Sequence, residues 1–163
     1  MLPDPLPPGF LTVIETICTT LRPHNILWAL TGSASFALQG MELPVRYIDL
    51  QTDAAGAYAI EEVLAEFVAQ PVSYSSTGRI RSHYGGLHLN GIQVEIIGDV
   101  EHLQANGSWS TPPDIEAARH WISRGDLKVP VMSLAHEALA YERMGRLARA
   151  AEIRHFLSLR YGD

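Results

Sequence analysis

The stretch Trp28-Ala-Leu-Thr-Gly-Ser-Ala-Ser-Phe-Ala-Leu-Gln-Gly40, with Val45-Arg-Tyr-Ile-Asp-Leu-Gln-Thr-Asp53 close behind it, decides how this chain folds. The first part reads as a buried strand, a Gly32-Ser33 turn and a short helix stopped by Gly40. The second reads as a strand with polar residues at alternate positions. Tyr47, Asp49, Gln51 and Asp53 have one parity, while Ile48 and Leu50 have the other and are expected to face the core. A Gly-Ser turn that opens a helix offers backbone N–H groups and a small hydroxyl to a phosphate. Carboxylates on one face of a strand can hold a hard metal ion. A phosphate cradle beside metal-binding carboxylates is the equipment for moving a phosphoryl or nucleotidyl group.

Outward from this centre, apolar residues recur at helical spacing over Phe10–Leu21, and Pro23 ends that helix. The pattern predicts strands over Ile26–Thr31 and Val45–Thr52, a helix over Ser33–Gln39 and a second helix over Gly56–Ala69. A short strand follows at Pro71–Ser75. Arg79–His88 and Ile92–Ile97 read as two strands joined by Asn90-Gly91, a strong hairpin signal. Glu101–Asp114 reads as a polar loop and Leu127–Met132 as a strand. Ser133 caps a helix to Met144, and Arg146–Leu159 forms another. Strands alternating with helices, plus one hairpin, predict an α+β fold with α/β-type layering, a mixed β-sheet flanked by helices. Trp28, Leu30, Ile48, Leu50, Val94 and Ile96 are the expected core of that sheet.

A chain of 163 residues is expected to form one domain over 1–163, with a loose arm at 1–9 and C-terminal helices at 133–160. The formal net charge of −6 argues against a broad nucleic-acid-binding surface, though not against a local cluster of Arg around a nucleotide. Cys18 is the only cysteine, which excludes an intrachain disulfide and matches a reducing, cytoplasmic setting. No stretch has the length and apolarity of a membrane span, and the Pro-rich start lacks the basic region of a signal peptide. Self-association is compatible with the sequence, which does not fix an oligomeric state.

Gly32-Ser33, the strand Tyr47-Ile48-Asp49 and Gln93-Val-Glu-Ile-Ile-Gly-Asp99 together resemble the nucleotidyltransferase superfamily. That superfamily includes DNA polymerase beta and the small antibiotic and toxin-type nucleotidyltransferases. Its pattern is a Gly-Ser or Gly-Gly after a strand, a helix, Asp-hydrophobic-Asp on the next strand and a third acid later. Leu50-Gln-Thr-Asp-Ala-Ala-Gly-Ala-Tyr58 and Val94-Glu95 are similar to a subgroup of uncharacterised bacterial proteins. The resemblance implies a minimal nucleotidyltransferase-like fold, a nucleoside triphosphate bound with Mg2+, and transfer to an unknown acceptor. It assigns Asp49 and Glu95 as catalytic residues and metal ligands, and Gly32 and Ser33 to the nucleotide. Tyr47 stands where the pattern has its first acid. A phenol is neutral near pH 7 and a poor magnesium ligand, so a catalytically degenerate nucleotide- or protein-binding module of the same fold is the alternative.

Arg79, Arg81 and His83 share one strand parity. The two arginines are candidates to meet phosphate, since Arg suits bidentate anion recognition, with a solvated strand face as the alternative. Arg146 lies with Tyr141, Arg143 and Arg149 where the last two helices meet, a region in which related enzymes often place a basic residue on the triphosphate. Asp53 precedes a helix and reads as its cap. The seven histidines show no metal-ligand spacing.

Overall fold

The computed structural model describes residues 5–161. Seven strands form one mixed sheet: β1 (Trp28–Thr31), β2 (Tyr47–Thr52), β3 (Val68–Ser76), β4 (Ile80–Leu89), β5 (Ile92–His102), β6 (Arg119–Arg124) and β7 (Leu127–Met132), in the order β3-β4-β5-β2-β1-β7-β6. The helices are α1 (Phe10–Leu21), α2 (Gly32–Leu38), α3 (Ala54–Val63), the single turn α4 (Ile115–Ala118), α5 (Leu134–Arg143) and α6 (Leu147–Tyr161). The fold is α+β and nucleotidyltransferase-like, a mixed sheet flanked by helices.

Strand alternation separates the two faces of the sheet. Trp28, Leu30, Ile48, Leu50, Val94 and Ile96 are all buried, and they join Val13, Ile14 and Ile17 of α1 and Ala57 and Ile60 of α3 in the main core. Burial of such side chains is the chief favourable term in folding. The other face is only partly covered. There Phe36 of α2 packs with Leu134 and Ala138 of α5 and Ile153 of α6, leaving a cleft beside the centre of the sheet.

Several boundaries differ from the periodicity. The helix after β2 ends at Val63, and a 3-10 turn leads into β3 at Val68, so Phe67–Ala69 belongs to the turn and a strand. Backbone pairing with β4 overrides helical spacing there. Strand β5 runs on to His102, through part of the expected loop, with Asp99 at φ 47 where its pairing with β4 shifts register. Strand β6 is an edge strand paired only with β7. Asn90 and Gly91 both have positive φ, as the hairpin signal requires. Of the expected N-terminal arm, residues 1–4 lie outside the described residues.

Candidate active site

The cleft is built from one row of the sheet. Thr31 on β1 pairs with Asp49 on β2, and Asp49 pairs in parallel register with Glu95 on β5. In-register neighbours point the same way, so the two carboxylates stand side by side and line the cleft with Thr31 and Gly32. Tyr84 of β4 donates its hydroxyl proton to Glu95 Oε1 at 2.9 Å, fixing that carboxylate from the far side. Asp49 Oδ1 is buried and has no hydrogen-bond partner among the described residues.

Gly32 is part of the same construction. Its φ is 73, and a Cβ placed on it would lie 2.5 Å from Asp49 Oδ2. Both facts require glycine where the chain turns from β1 into α2. Helix α2 begins at Gly32 with Thr31 as its cap residue, so Ser33 lies one residue inside the helix; it is half-buried and does not line the cleft.

Glu137 of α5 reaches the cleft from above. It is 5% exposed and accepts a hydrogen bond from the Thr31 hydroxyl. Burial pushes its carboxyl up to about 7, the Thr31 bond acting in the opposite direction. The Asp49 carboxyl is pushed up to about 8, first by burial, then by the charge of Glu95 and a hydrogen bond with it, then by the charge of Glu137. Carboxyls perturbed by burial and by one another in a cleft are candidates for a functional site.

The cleft lining also carries basic residues. Arg79, Arg143 and Arg146 line the cleft, and none forms an ion pair among the described residues. The Arg146 guanidinium stacks 4.8 Å from the Tyr141 ring centroid. Arg149 is instead paired with Glu152 at 3.0 Å. Arg79 faces the cleft because it lies in the turn before β4, outside strand alternation. Arg81 is a correction to the nucleotide-binding set: Ser82 and Tyr84 line the cleft, and alternation turns Arg81 and His83 the other way. Arg81 pairs with Glu101 at 2.8 Å and stacks 4.2 Å from the Trp109 ring centroid, while His83 meets the Tyr58 hydroxyl. Asp53 Oδ1 accepts the Gly56 N–H at 2.6 Å as the cap of α3.

Asp49 and Glu95 present hard oxygen donors, one of them buried and unpartnered, which fits a magnesium ion that takes its remaining ligands from phosphate and water. Among the described residues no group of three or more His, Cys, Asp or Glu side chains is close enough to hold an ion. The fit is to one ion held by two carboxylates.

Residues 13–156 match the family described as Aminoglycoside-2''-adenylyltransferase. The chain belongs to that family. It is similar to the structure, at 1.87 Å, of a candidate nucleotidyltransferase from Thermotoga maritima, with 40% identity over 94% of this chain and 95% of the other and a TM-score of 0.81. Two more distant structures share the fold. The lincosamide antibiotic adenylyltransferase LnuA with lincomycin has 14% identity over 76% of this chain and 80% of the other, TM-score 0.51. ANT(2'')-Ia in complex with adenylyl-2''-tobramycin has 11% identity over 93% of this chain and 89% of the other, TM-score 0.57. Comparison with curated proteins gives no match. Among the described residues no helix is long and apolar enough to cross a membrane.

Membership in the family does not by itself point to Glu137 or Tyr84, which sequence reasoning missed. Glu137 had a usable signal: Leu134, Ala138 and Tyr141 flank it at helical spacing, so the acid sits inside an apolar stripe. Tyr84 had none, because its approach to Glu95 depends on the pairing of β4 with β5.

Proposed function

We propose that this protein transfers a nucleotidyl group from a nucleoside triphosphate to a hydroxyl-bearing acceptor in the Asp49–Glu95 cleft. The observation that carries this reading is the meeting in one cleft of two in-register carboxylates and three arginines that form no ion pair among the described residues. Arg79, Arg143 and Arg146 would bind the triphosphate, which guanidinium groups recognise by charge and by paired N–H donors. Gly32 keeps the chain close to Asp49 so that phosphate can approach the carboxylates, with Ser33 in the next position of α2.

Asp49 and Glu95 would hold a magnesium ion, which when bound supplies Lewis-acid polarisation of the phosphate oxygens. In the transfer the acceptor oxygen forms a bond to the α-phosphorus. The bond from that phosphorus to the bridging oxygen breaks, and its electron pair leaves with pyrophosphate. The acceptor proton passes to the Glu95 carboxylate, whose orientation the Tyr84 hydroxyl maintains. Thr31 holds Glu137 at the cleft wall, where its charge acts on Asp49.

Tyr47 gives the second reading its support. It is 44% exposed, two residues before Asp49 on the same strand face, and it does not line the cleft. A chain with no acid at that position can bind nucleotide without turning it over. Release of pyrophosphate from nucleoside triphosphates with Mg2+, followed with a broad set of hydroxyl compounds, separates the two. Acceptor-dependent release supports transfer, and saturable nucleotide binding without release supports the degenerate module.

A further inference from the structure

Resting on the transferase reading above, we propose that a hairpin over residues 103–109 positions the cleft arginines, and that Arg81 and Trp109, which clasp it from outside the cleft, are positioning residues for the triphosphate. Arg79 and Arg146 lie in connecting segments and Arg143 is the last residue of α5, so no ladder or helix interior fixes the chain at any of them. The hairpin continues β5 past His102 and supplies the missing ties. The Leu103 N–H donates to the Arg79 carbonyl at 2.8 Å, and the Ala105 N–H donates to the Arg143 carbonyl at 3.0 Å. Gly145, in the turn that carries Arg146, has φ 83, and a Cβ built on it would lie 3.8 Å from the Ala105 Cβ. The Arg146 N–H closes that turn on the Tyr141 carbonyl at 2.8 Å. One short hairpin thus holds the backbone of both segments that bring arginines to the cleft.

The hairpin is itself held in shape. Leu103 pairs with Trp109 across it, and the Gln104 N–H donates to the Ser108 carbonyl at 2.8 Å. Gly107, at φ 87, makes the turn, and Asn106 Oδ1 accepts the Ser108 N–H at 3.0 Å. At its base the Ser110 N–H donates to the His102 carbonyl, and Ser110 Oγ accepts the His102 N–H, both at 2.9 Å. The outer anchor is Arg81. Its guanidinium lies 4.2 Å from the Trp109 ring centroid, the favoured ring for such a contact, and Nε donates to Glu101 Oε1 at 2.8 Å. Leu103 and Gln104 line the cleft, whereas Arg81 and Trp109 do not. Loosening the clasp therefore removes no group that meets the nucleotide. It frees the segments of Arg79, Arg143 and Arg146, and a triphosphate must then order them as it binds, which weakens its affinity. Asp49 and Glu95 stand on paired strands of the sheet, so a metal ion held by them is indifferent to the clasp.

The test is calorimetry on the full chain with two probes, the common ribonucleoside triphosphates in the presence of Mg2+, and Mg2+ alone. Trp109→Ala should weaken triphosphate binding about tenfold and leave the binding of Mg2+ alone unchanged. Trp109→Phe, which keeps a ring under the guanidinium, should recover most of the loss. Combined with Arg146→Ala, the loss from Trp109→Ala should be smaller than in the natural chain, because one of the groups it positions is already gone. Triphosphate binding untouched by Trp109→Ala, an equal loss for Mg2+ alone, or losses from Trp109→Ala and Arg146→Ala that multiply in full would each overturn the inference. Should Trp109→Ala fail to fold by circular dichroism, Arg81→Ala, the other half of the clasp, is read against the same outcomes. A natural chain that binds no triphosphate would be a distinct result, removing the transferase reading and this inference with it.

Discussion

On one face of β2, Ile48 and Leu50 are fully buried against the apolar core formed with α1 and α3; on the other, Asp49 stands half-buried beside Glu95 and near Glu137, with a buried oxygen that has no hydrogen-bond partner among the described residues. The same six-residue strand thus carries a face that stabilises the fold and a face that costs it stability. The apolar face removes hydrocarbon from water. The polar face takes acids out of water and sets them against one another, an arrangement that favours proton uptake or the entry of a positively charged group. The comparison teaches where selection for folding ends and where selection for a ligand begins.

The largest expected effect divides the two faces directly. Asp49→Asn should lower nucleotidyl transfer by about 10²–10³-fold, the scale of losing a principal electrostatic element of a transition-state site. The same change should raise the metal-free melting temperature, by about 2–4 °C for each kcal/mol recovered. Activity and thermal unfolding measured on one preparation check both signs. A fall in both would place Asp49 with the structural residues. Leu50→Ala should do the reverse, costing about 2–5 kcal/mol in urea unfolding, with the carboxylate pair retained in the molecules that still fold.

A third prediction concerns pH. Both cleft acids titrate higher in the folded chain than their ordinary values, Asp49 at about 8 against 3.8 and Glu137 at about 7 against 4.5. The folded state therefore binds more protons than the unfolded state between these limits. The stability they contribute is fully present below about pH 4 and is lost as pH rises through about 7 to 8. Glu137→Gln should flatten part of this decline and add on the order of 1–3 kcal/mol at pH 8 in metal-free buffer. Denaturant unfolding across pH reads it, and an unchanged slope would show that Glu137 is not the buried acid described.

The smallest effect belongs to the edge of the polar face. Tyr47 is exposed, so Tyr47→Asp should change stability by no more than about 0.5 kcal/mol. It should tighten magnesium binding by less than about tenfold, since it adds one carboxylate to the strand. Weaker magnesium binding in this variant would assign Tyr47 a working role of its own.

How much of this was legible in the sequence follows the range of the contacts. The parity of β2 could be read from alternation, and with it the burial of Ile48 and Leu50; the shared direction of Asp49 and Glu95 needed the family resemblance as well, because alternation does not fix the register of β2 with β5. Asn90-Gly91 could be read as a hairpin because the turn is local. Arg81 could not be placed, since the bulge at Asp99 and its partners Glu101 and Trp109 belong to distant pairings. The edge strand β6, with Arg119, His120 and Arg124 in six residues, carries little apolar signal. Its turn Gly125-Asp126 was a usable hairpin cue all the same. Arg79 reaches the cleft only because the chain turns before β4, and Glu137 because α5 folds back over the sheet.

The most direct test of the polar face is calorimetric titration of nucleoside triphosphates into the natural chain and into Asp49→Asn, each with and without Mg2+. A nucleotidyl-transfer cleft predicts saturable one-site binding that depends on Mg2+ in the natural chain and is lost or metal-independent in Asp49→Asn. Binding that is indifferent to both Mg2+ and the substitution, or no binding by the natural chain under any condition, would contradict it.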